Sequence, residues 1–441
     1  MPRTQEVQGE TRDDMRRERW LALFTVLAVL GTLVVGILRP AGASTEPAST
    51  VDVITEPDTA PVELGELSAD VFSGVELDVD GSGIDVAVID TGVAHVDGLG
   101  MNKVLYGPDM SGEVATNAAN VDTYGHGTHM AGIIAGDREG HEGVAPGARI
   151  VSVKVAGADG ETSLPQMVAA IDWVIANKDV DGLNIRVLNL AFGHADVAAH
   201  LGDPLSAAVE RAWHAGIFVV VAAGNTGDDH HHLGSPAIDP YVLAVGSSDS
   251  TGGESRDLQP VGDWSSHGNA YRSADLVAPG RSIASYRVPG STIDEESPIG
   301  RHGDDLFRGT GTSQSAAVVS GVAARLLEAH PDLTPDQLKA TLVNTAGTSL
   351  DLDPLVAGAG VLNAAAAFEN PAVDAAPQNH TPALTNGAPI AIWTQGTWDG
   401  ATWYGGTWAG GTWAGGTWAG GTWAGGTWAG SGWQGSGWQG S

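Results

Sequence analysis

Five short apolar runs, at 85–89 (DVAVI), 150–155 (IVSVKV), 186–190 (RVLNL), 217–222 (IFVVVA) and 241–245 (YVLAV), occupy the middle of the chain, and stretches with helical spacing lie between them. Runs that are apolar at nearly every position cannot belong to strands with one wet face. They require a parallel sheet covered on both sides. Helical patterns at 126–136, 163–177, 204–214, 312–329 and 335–346 supply the cover, and Thr334-Pro335-Asp336 reads as a helix start. The expected architecture is α/β: a three-layer domain over 81–370 with a mainly parallel central sheet and helices on both faces. Such sheets place functional groups at the carboxyl ends of their strands.

Charge and composition narrow the function. Lys and Arg number 21 against 53 Asp and Glu, a net charge of −32, and only four residues are lysine, which excludes a nucleic-acid partner. With no cysteine, disulfides, thiolate chemistry and Cys-bound metal are excluded as well. The available chemistry is that of oxygen and imidazole. The acidity suits solubility and self-repulsion outside the cell, with high-salt adaptation or calcium binding as sharper readings. No D-x-D-x-D-G loop is present to assign calcium ligands.

The ends carry different signals. Residues 21–38 are uncharged, with Arg3, Arg12, Arg16, Arg17 and Arg19 before them and no basic residue between Arg39 and Lys103. That asymmetry orients the N-terminus to the cytoplasm and the rest outside. The segment is long enough to be a retained anchor, while Ala41-Gly42-Ala43 has the form of a signal cleavage site, so residues 1–43 are expected to be one or the other. Residues 44–80 read as an acidic linker or short pro-segment, and 371–392 as a second linker. In the tail, 393–441, ten tryptophans recur every five residues from Trp393 to Trp438. A period of five matches neither strand nor helix. A disordered carrier of aromatic groups and a stacked, solenoid-like array are both compatible with it, and either could bring tryptophan faces to cell-wall sugars or to a membrane surface.

Three segments combine a carboxylate, an imidazole and a hydroxyl. VAVIDTGV ends a buried strand at Asp90, YGHGTHMAG opens a helix at His126, and RGTGTSQSAA places Ser313 at a helix start whose free N–H groups can stabilise negative charge. A hydroxyl becomes a useful nucleophile when an imidazole takes its proton and a carboxylate holds that imidazole. VAVIDTGV, HGTHMAG, VVVAAGN and GTSQSAA, in the chain order Asp, His, Asn, Ser, resemble the subtilisin-like serine proteases, the subtilases, over residues 80–368.

The resemblance implies an Asp-His-Ser triad of Asp90, His126 and Ser313, with Asn225 donating to the oxyanion beside the Ser313 backbone N–H. It implies that 191–193 (Ala191, Phe192, Gly193) and 222–224 (Ala222, Ala223, Gly224) flank an extended peptide substrate, that a large apolar side chain is preferred before the scissile bond, and that His129 is structural. No cofactor is required for the chemistry, and structural calcium would come only by family analogy. Departures from the family pattern are Gln314, Ser315, Ala316, Ala317 and Val318 after the serine, where GTSMASPH is usual, and Ala191 where serine is usual. Only an acidic, low-complexity stretch of about 40 residues, 44–80, precedes the catalytic region, where many secreted subtilases have a folded pro-domain. The leading expectation is an exported serine endopeptidase; the other is a surface protein that binds peptides with a catalytically weak or inactive subtilase shell. Asp228-Asp229-His230-His231-His232 reads as a solvated loop rather than a metal cluster, since neighbours in one loop seldom converge on an ion.

Overall fold

The structure is a computed structural model. It describes residues 60–384 apart from 117, 194–196, 198, 250–259 and 348–351, together with short strand segments between 392 and 439. The expected export segment, 21–38, lies outside the described residues. Among the described residues, no helix is long and apolar enough to cross a membrane.

The chain enters through β1 (Val62–Glu63) and α1 (Leu64–Val71). Residues 62–71, expected to be linker, are therefore part of the fold. The reason is visible in the spacing of Leu64, Leu67 and Val71, all buried along one side of the short helix, and in the parallel pairing of Val62 with Ile283. The central sheet is built from β2 (Asp85–Asp90) and β3 (Val104–Asp109), and the helix α2 (His126–Ala135) follows. A hairpin of β4 (Asp137–Arg138) and β5 (His141–Glu142) leads to β6 (Arg149–Lys154), α3 (Leu164–Asn177), β7 (Ile185–Leu190), α4 (Pro204–His214), β8 (Phe218–Ala222), β9 (Leu243–Ser248) and β10 (Leu276–Pro279).

Seven strands form one sheet in the order β10-β9-β8-β7-β2-β6-β3, with every neighbouring pair parallel. Connections from β2 run first to the β6–β3 side and then across to β7, β8 and beyond, so the order reverses around β2. That is where an open parallel sheet leaves a crevice at its carboxyl edge. All residues of β2, β8, β9 and β10 are buried, as two-sided cover demands.

The helices start where their caps dictate. Ser163 and Gln166 form a reciprocal capping box at α3, and the Asp203 carboxylate accepts from the N–H groups of Leu205 and Ser206 at α4. A smaller sheet joins β1 to β11 (Ile283–Tyr286), and β12 (Arg301–His302) to β11 through β13 (Leu306–Gly309); α5 (Thr292–Glu296) lies between β11 and β12 in the chain. The long helix α6 (Thr312–Ala329) is buried along nearly its whole length, and its small residues let it pass close to its neighbours. At Gly321 a Cβ would come within 2.6 Å of the Val144 side chain. α7 (Pro335–Thr345), capped by Thr334 and Gln337, α8 (Pro354–Ala357) and α9 (Ala364–Glu369) complete the domain.

Beyond α9 the chain folds back, although 371–392 was expected to be linker. The Ala383 N–H donates to Glu210 Oε1 (2.6 Å), Gly202 N–H to the Ala383 carbonyl (2.6 Å), and the Tyr241 hydroxyl to the His380 carbonyl (3.0 Å). Glu210 is fully buried beside Asp239, and desolvation together with the neighbouring Asp239 charge pushes its carboxyl up to about 8. A folded pKa raised above the unfolded value means that stability is complete below about 4.5 and is lost as pH rises through about 8. Melting curves should therefore show wild type losing more stability between pH 5 and pH 8.5 than Glu210→Gln does. Parallel losses would assign the pH dependence to other groups.

Between Ile392 and Gln439 the backbone forms ten short strands. Most pair in parallel fifteen residues apart, aligning Trp403 with Trp418 and Trp433, Trp408 with Trp423 and Trp438, and Trp413 with Trp428. Three five-residue repeats thus separate the paired strands in each of these sets.

Candidate active site

Asp90 is the last residue of β2 and His126 the first of α2, and the fold brings them into contact. His126 Nδ1 lies 2.9 Å from Asp90 Oδ1 and 3.0 Å from Oδ2, with both side chains almost completely buried. Because Nδ1 faces a carboxylate, that nitrogen carries the proton and Nε2 is left on the far side of the ring as a base. The approach of helix to strand depends on Gly127, where a Cβ would stand 2.1 Å from the Gly92 carbonyl oxygen and 3.1 Å from Asp90 Oδ1. The Asp90 carboxylate also accepts from the Thr91 N–H at 2.7 Å, which fixes its plane.

Ser313 is the second residue of α6, 5% exposed, with Oγ 3.4 Å from the Ala191 carbonyl oxygen. Its N–H falls in the first turn, where helix donors have no partner within the helix. Asn225 follows β8, beyond Gly224, whose φ of +104° suits glycine. The Thr312 N–H and hydroxyl both meet Asn225 Oδ1, at 2.9 and 3.0 Å. An N–H can only donate, so the atom facing Thr312 is the oxygen and Nδ2 is presented on the other side. Thr312, which sequence reasoning passed over, therefore sets the Asn225 amide; its position immediately before Ser313 was the available signal.

The segments 191–193 and 222–224 continue from the carboxyl ends of the adjacent strands β7 and β8, in which Leu190 pairs with Val221. Ala191, Phe192, Ala222 and Ala223 are buried, whereas Gly193 is exposed and a Cβ there would meet nothing closer than 3.4 Å. The Phe192 ring stands edge-on to the His126 ring, with centroids 6.4 Å apart.

His129 lies one turn from His126 and points elsewhere: its Nε2 is 3.0 Å from the Phe307 carbonyl and 3.2 Å from that of Ile283. Burial, assisted by repulsion from His126, pulls its pKa down to about 4, so it stays neutral near the site. Gln314 is buried beside Ser313, with its amide between Gly309 and Gly311. In the His-rich loop, Asp228 Oδ1 meets His231 Nδ1 (2.9 Å) and His267 Nδ1 (3.1 Å) on an exposed surface. Among the described residues no group of three or more His, Asp or Glu side chains is arranged to hold a metal ion.

Residues 81–379 match the family model described as the subtilase family. Serine protease AprX of Bacillus subtilis (strain 168) is 36% identical over 296 residues, 64% of this chain and 66% of AprX, so the chain spans just under two thirds of that relative's length. Subtilisin BL of Lederbergia lenta is 33% identical over 290 residues, 65% of this chain and 91% of that protein. The solved structure of sphericase superimposes with a TM-score of 0.56 at 26% identity, covering 69% of this chain and 99% of sphericase. With the family pattern spread over more than half its length and a buried Asp–His pair at the carboxyl edge of a parallel sheet, the chain belongs to the subtilase family of serine endopeptidases.

Proposed function

We propose that the chain is an exported endopeptidase in which Ser313 is the nucleophile, His126 the general base and then acid, and Asp90 the group that orients and stabilises the imidazole. The observation that carries this reading is the buried pairing of His126 Nδ1 with both Asp90 carboxylate oxygens, which leaves Nε2 free to take the Ser313 proton. Ser313 Oγ attacks the scissile carbonyl as its proton moves to Nε2. The oxyanion is met by Asn225 Nδ2 and the Ser313 N–H. Collapse breaks the C–N bond, and Nε2 returns the proton to the leaving amine. Water, deprotonated by the same nitrogen, then attacks the acyl carbon, the bond to Ser313 Oγ breaks, and Nε2 returns the proton to Oγ as the acid product leaves.

The substrate is an extended peptide lying between 191–193 and 222–224 as an added strand. The lack of a side chain at the exposed Gly193 supports a large apolar side chain before the scissile bond. Export is supported by the arginine-flanked apolar segment, 21–38. Attachment to a wall or membrane surface is assigned to the tail, where tryptophan positions fall in register between paired strands.

A chain ending at Leu384 tests both parts. The cut lies beyond the strap that docks through His380 and Ala383, so the domain keeps its contacts. It should hydrolyse a chromogenic peptide with Phe before the scissile bond at nearly the full-length rate. It should also leave the wall and membrane fractions, because stacking or interfacial burial at roughly 1 kcal/mol per engaged ring accumulates over many rings. No hydrolysis by either form would reject the peptidase reading. Equal retention in those fractions would reject tail anchoring.

A further inference from the structure

The helix that carries His126 begins at Gly125, which has no side chain with which to cap it. Its first-turn donors are satisfied from elsewhere. The Gly127 N–H donates to Thr91 Oγ1 (2.9 Å) and the Thr128 N–H to Asp122 Oδ2 (2.8 Å). Asp122 Oδ1 also accepts from the Gly125 N–H (2.7 Å) and the Thr91 hydroxyl (2.8 Å), and Oδ2 from the Thr128 hydroxyl (2.6 Å). Asp122 and Thr91 are both fully buried. The single Thr91 proton has two acceptors in view, Asp122 Oδ1 at 2.8 Å and Asp90 Oδ1 at 3.2 Å, and the shorter contact goes to Asp122.

One carboxylate thus ties the residue after Asp90 to the N-terminus of the His126 helix. A buried ammonium reinforces the same two segments: Lys154 Nζ donates to the carbonyls of Thr91 (2.9 Å) and Val121 (2.5 Å) and pairs with Glu113 (2.9 Å). None of these groups is part of the triad, yet each fixes a chain segment that is.

We propose that Asp122 is a positioning residue of the peptidase, acting through Thr91 and the first turn of α2 to hold the His126 imidazole against Asp90. This rests on the triad reading of Asp90, His126 and Ser313. Unpairing the Thr91–Asp122 link leaves strand and helix in place through their packing, but it lets the Asp90–His126 geometry vary. A misplacement of about 1 Å at a reacting group costs up to about 10² in rate.

The test compares Thr91→Val, Thr91→Ser and Asp122→Asn in the full chain, reading kcat and KM on a chromogenic peptide and the melting temperature of each variant. Valine keeps the shape of threonine but can neither accept from Gly127 nor donate to Asp122. Asparagine would set its NH2 against donors. Thr91→Val and Asp122→Asn should lower kcat by about 10- to 100-fold with KM changed by less than about 2-fold, and Thr91→Ser should recover most of the rate. The double variant should be no slower than the slower single variant. Folded Asp122→Asn with wild-type kcat, or Thr91→Ser as slow as Thr91→Val, would overturn the proposal. If Asp122→Asn does not fold, the Thr91 pair decides alone. Hydrolysis that survives Ser313→Ala would instead overturn the triad reading on which the proposal rests.

Discussion

Replacing either Ser313 or His126 with alanine should reduce peptide hydrolysis by roughly 10⁶ in kcat, the scale known for subtilisin, and replacing both should cost no more than either alone. The reason is that the two side chains form one unit. Without the imidazole the hydroxyl keeps its proton, and without the hydroxyl the imidazole has nothing to activate. Residual turnover would come from the oxyanion donors and from substrate binding, which neither change disturbs. Both variants should keep the fold, since each removes atoms from a single nearly buried site and leaves the sheet and the buried helix α6 in place, and circular dichroism of each variant checks this. Steady-state kinetics on the two single variants and the double variant checks this. A double variant slower by a further factor of about 10³ would show that Ser313 and His126 act independently.

The second large effect is expected at Asn225. Its Oδ1 is held by Thr312, so Nδ2 is pre-aimed and pays no reorganisation when charge develops on the substrate oxygen. Asn225→Ala should lower kcat by roughly 10²–10³ with little change in KM, because the donor engages the oxyanion more strongly than the ground-state carbonyl. Thr312→Val should give a smaller loss of the same kind, because the amide keeps the backbone N–H donor but loses the hydroxyl. A variant altered in KM alone would place Asn225 in substrate binding.

The central sheet and the long helices were legible in the sequence because burial on both faces leaves nearly unbroken apolar runs, and because caps such as Thr334 with Gln337 are local. β3 escaped notice for a physical reason. It is an edge strand, only partly buried, and it tolerates Gly107 and Pro108 in VLYGPD. The short helix Leu64–Val71 was masked by its acidic surroundings and by Gly65, and it is held mainly by packing on the rest of the fold. At the proposed site, Asp90, His126, Asn225 and Ser313 were singled out from motif and order; the fold sets His126 against Asp90 and Asn225 against Thr312, while the carbonyls of Phe307 and Ile283 draw the His129 ring away from them. Asp122 and Lys154 were not legible. Their roles arise from carbonyls and N–H groups that only the folded chain brings to them, and an aspartate four residues before a histidine has no meaning until Thr91 is seen beside it.

Covalent labelling with a fluorophosphonate, followed by mass-spectrometric mapping of the adduct, tests the proposed triad most directly. Such a probe reacts with a serine whose proton is being taken by a base and whose oxyanion site is formed. A single adduct is expected on Ser313, absent in Ser313→Ala and strongly slowed in His126→Ala. An adduct at another residue, or labelling that persists in Ser313→Ala, would contradict that triad.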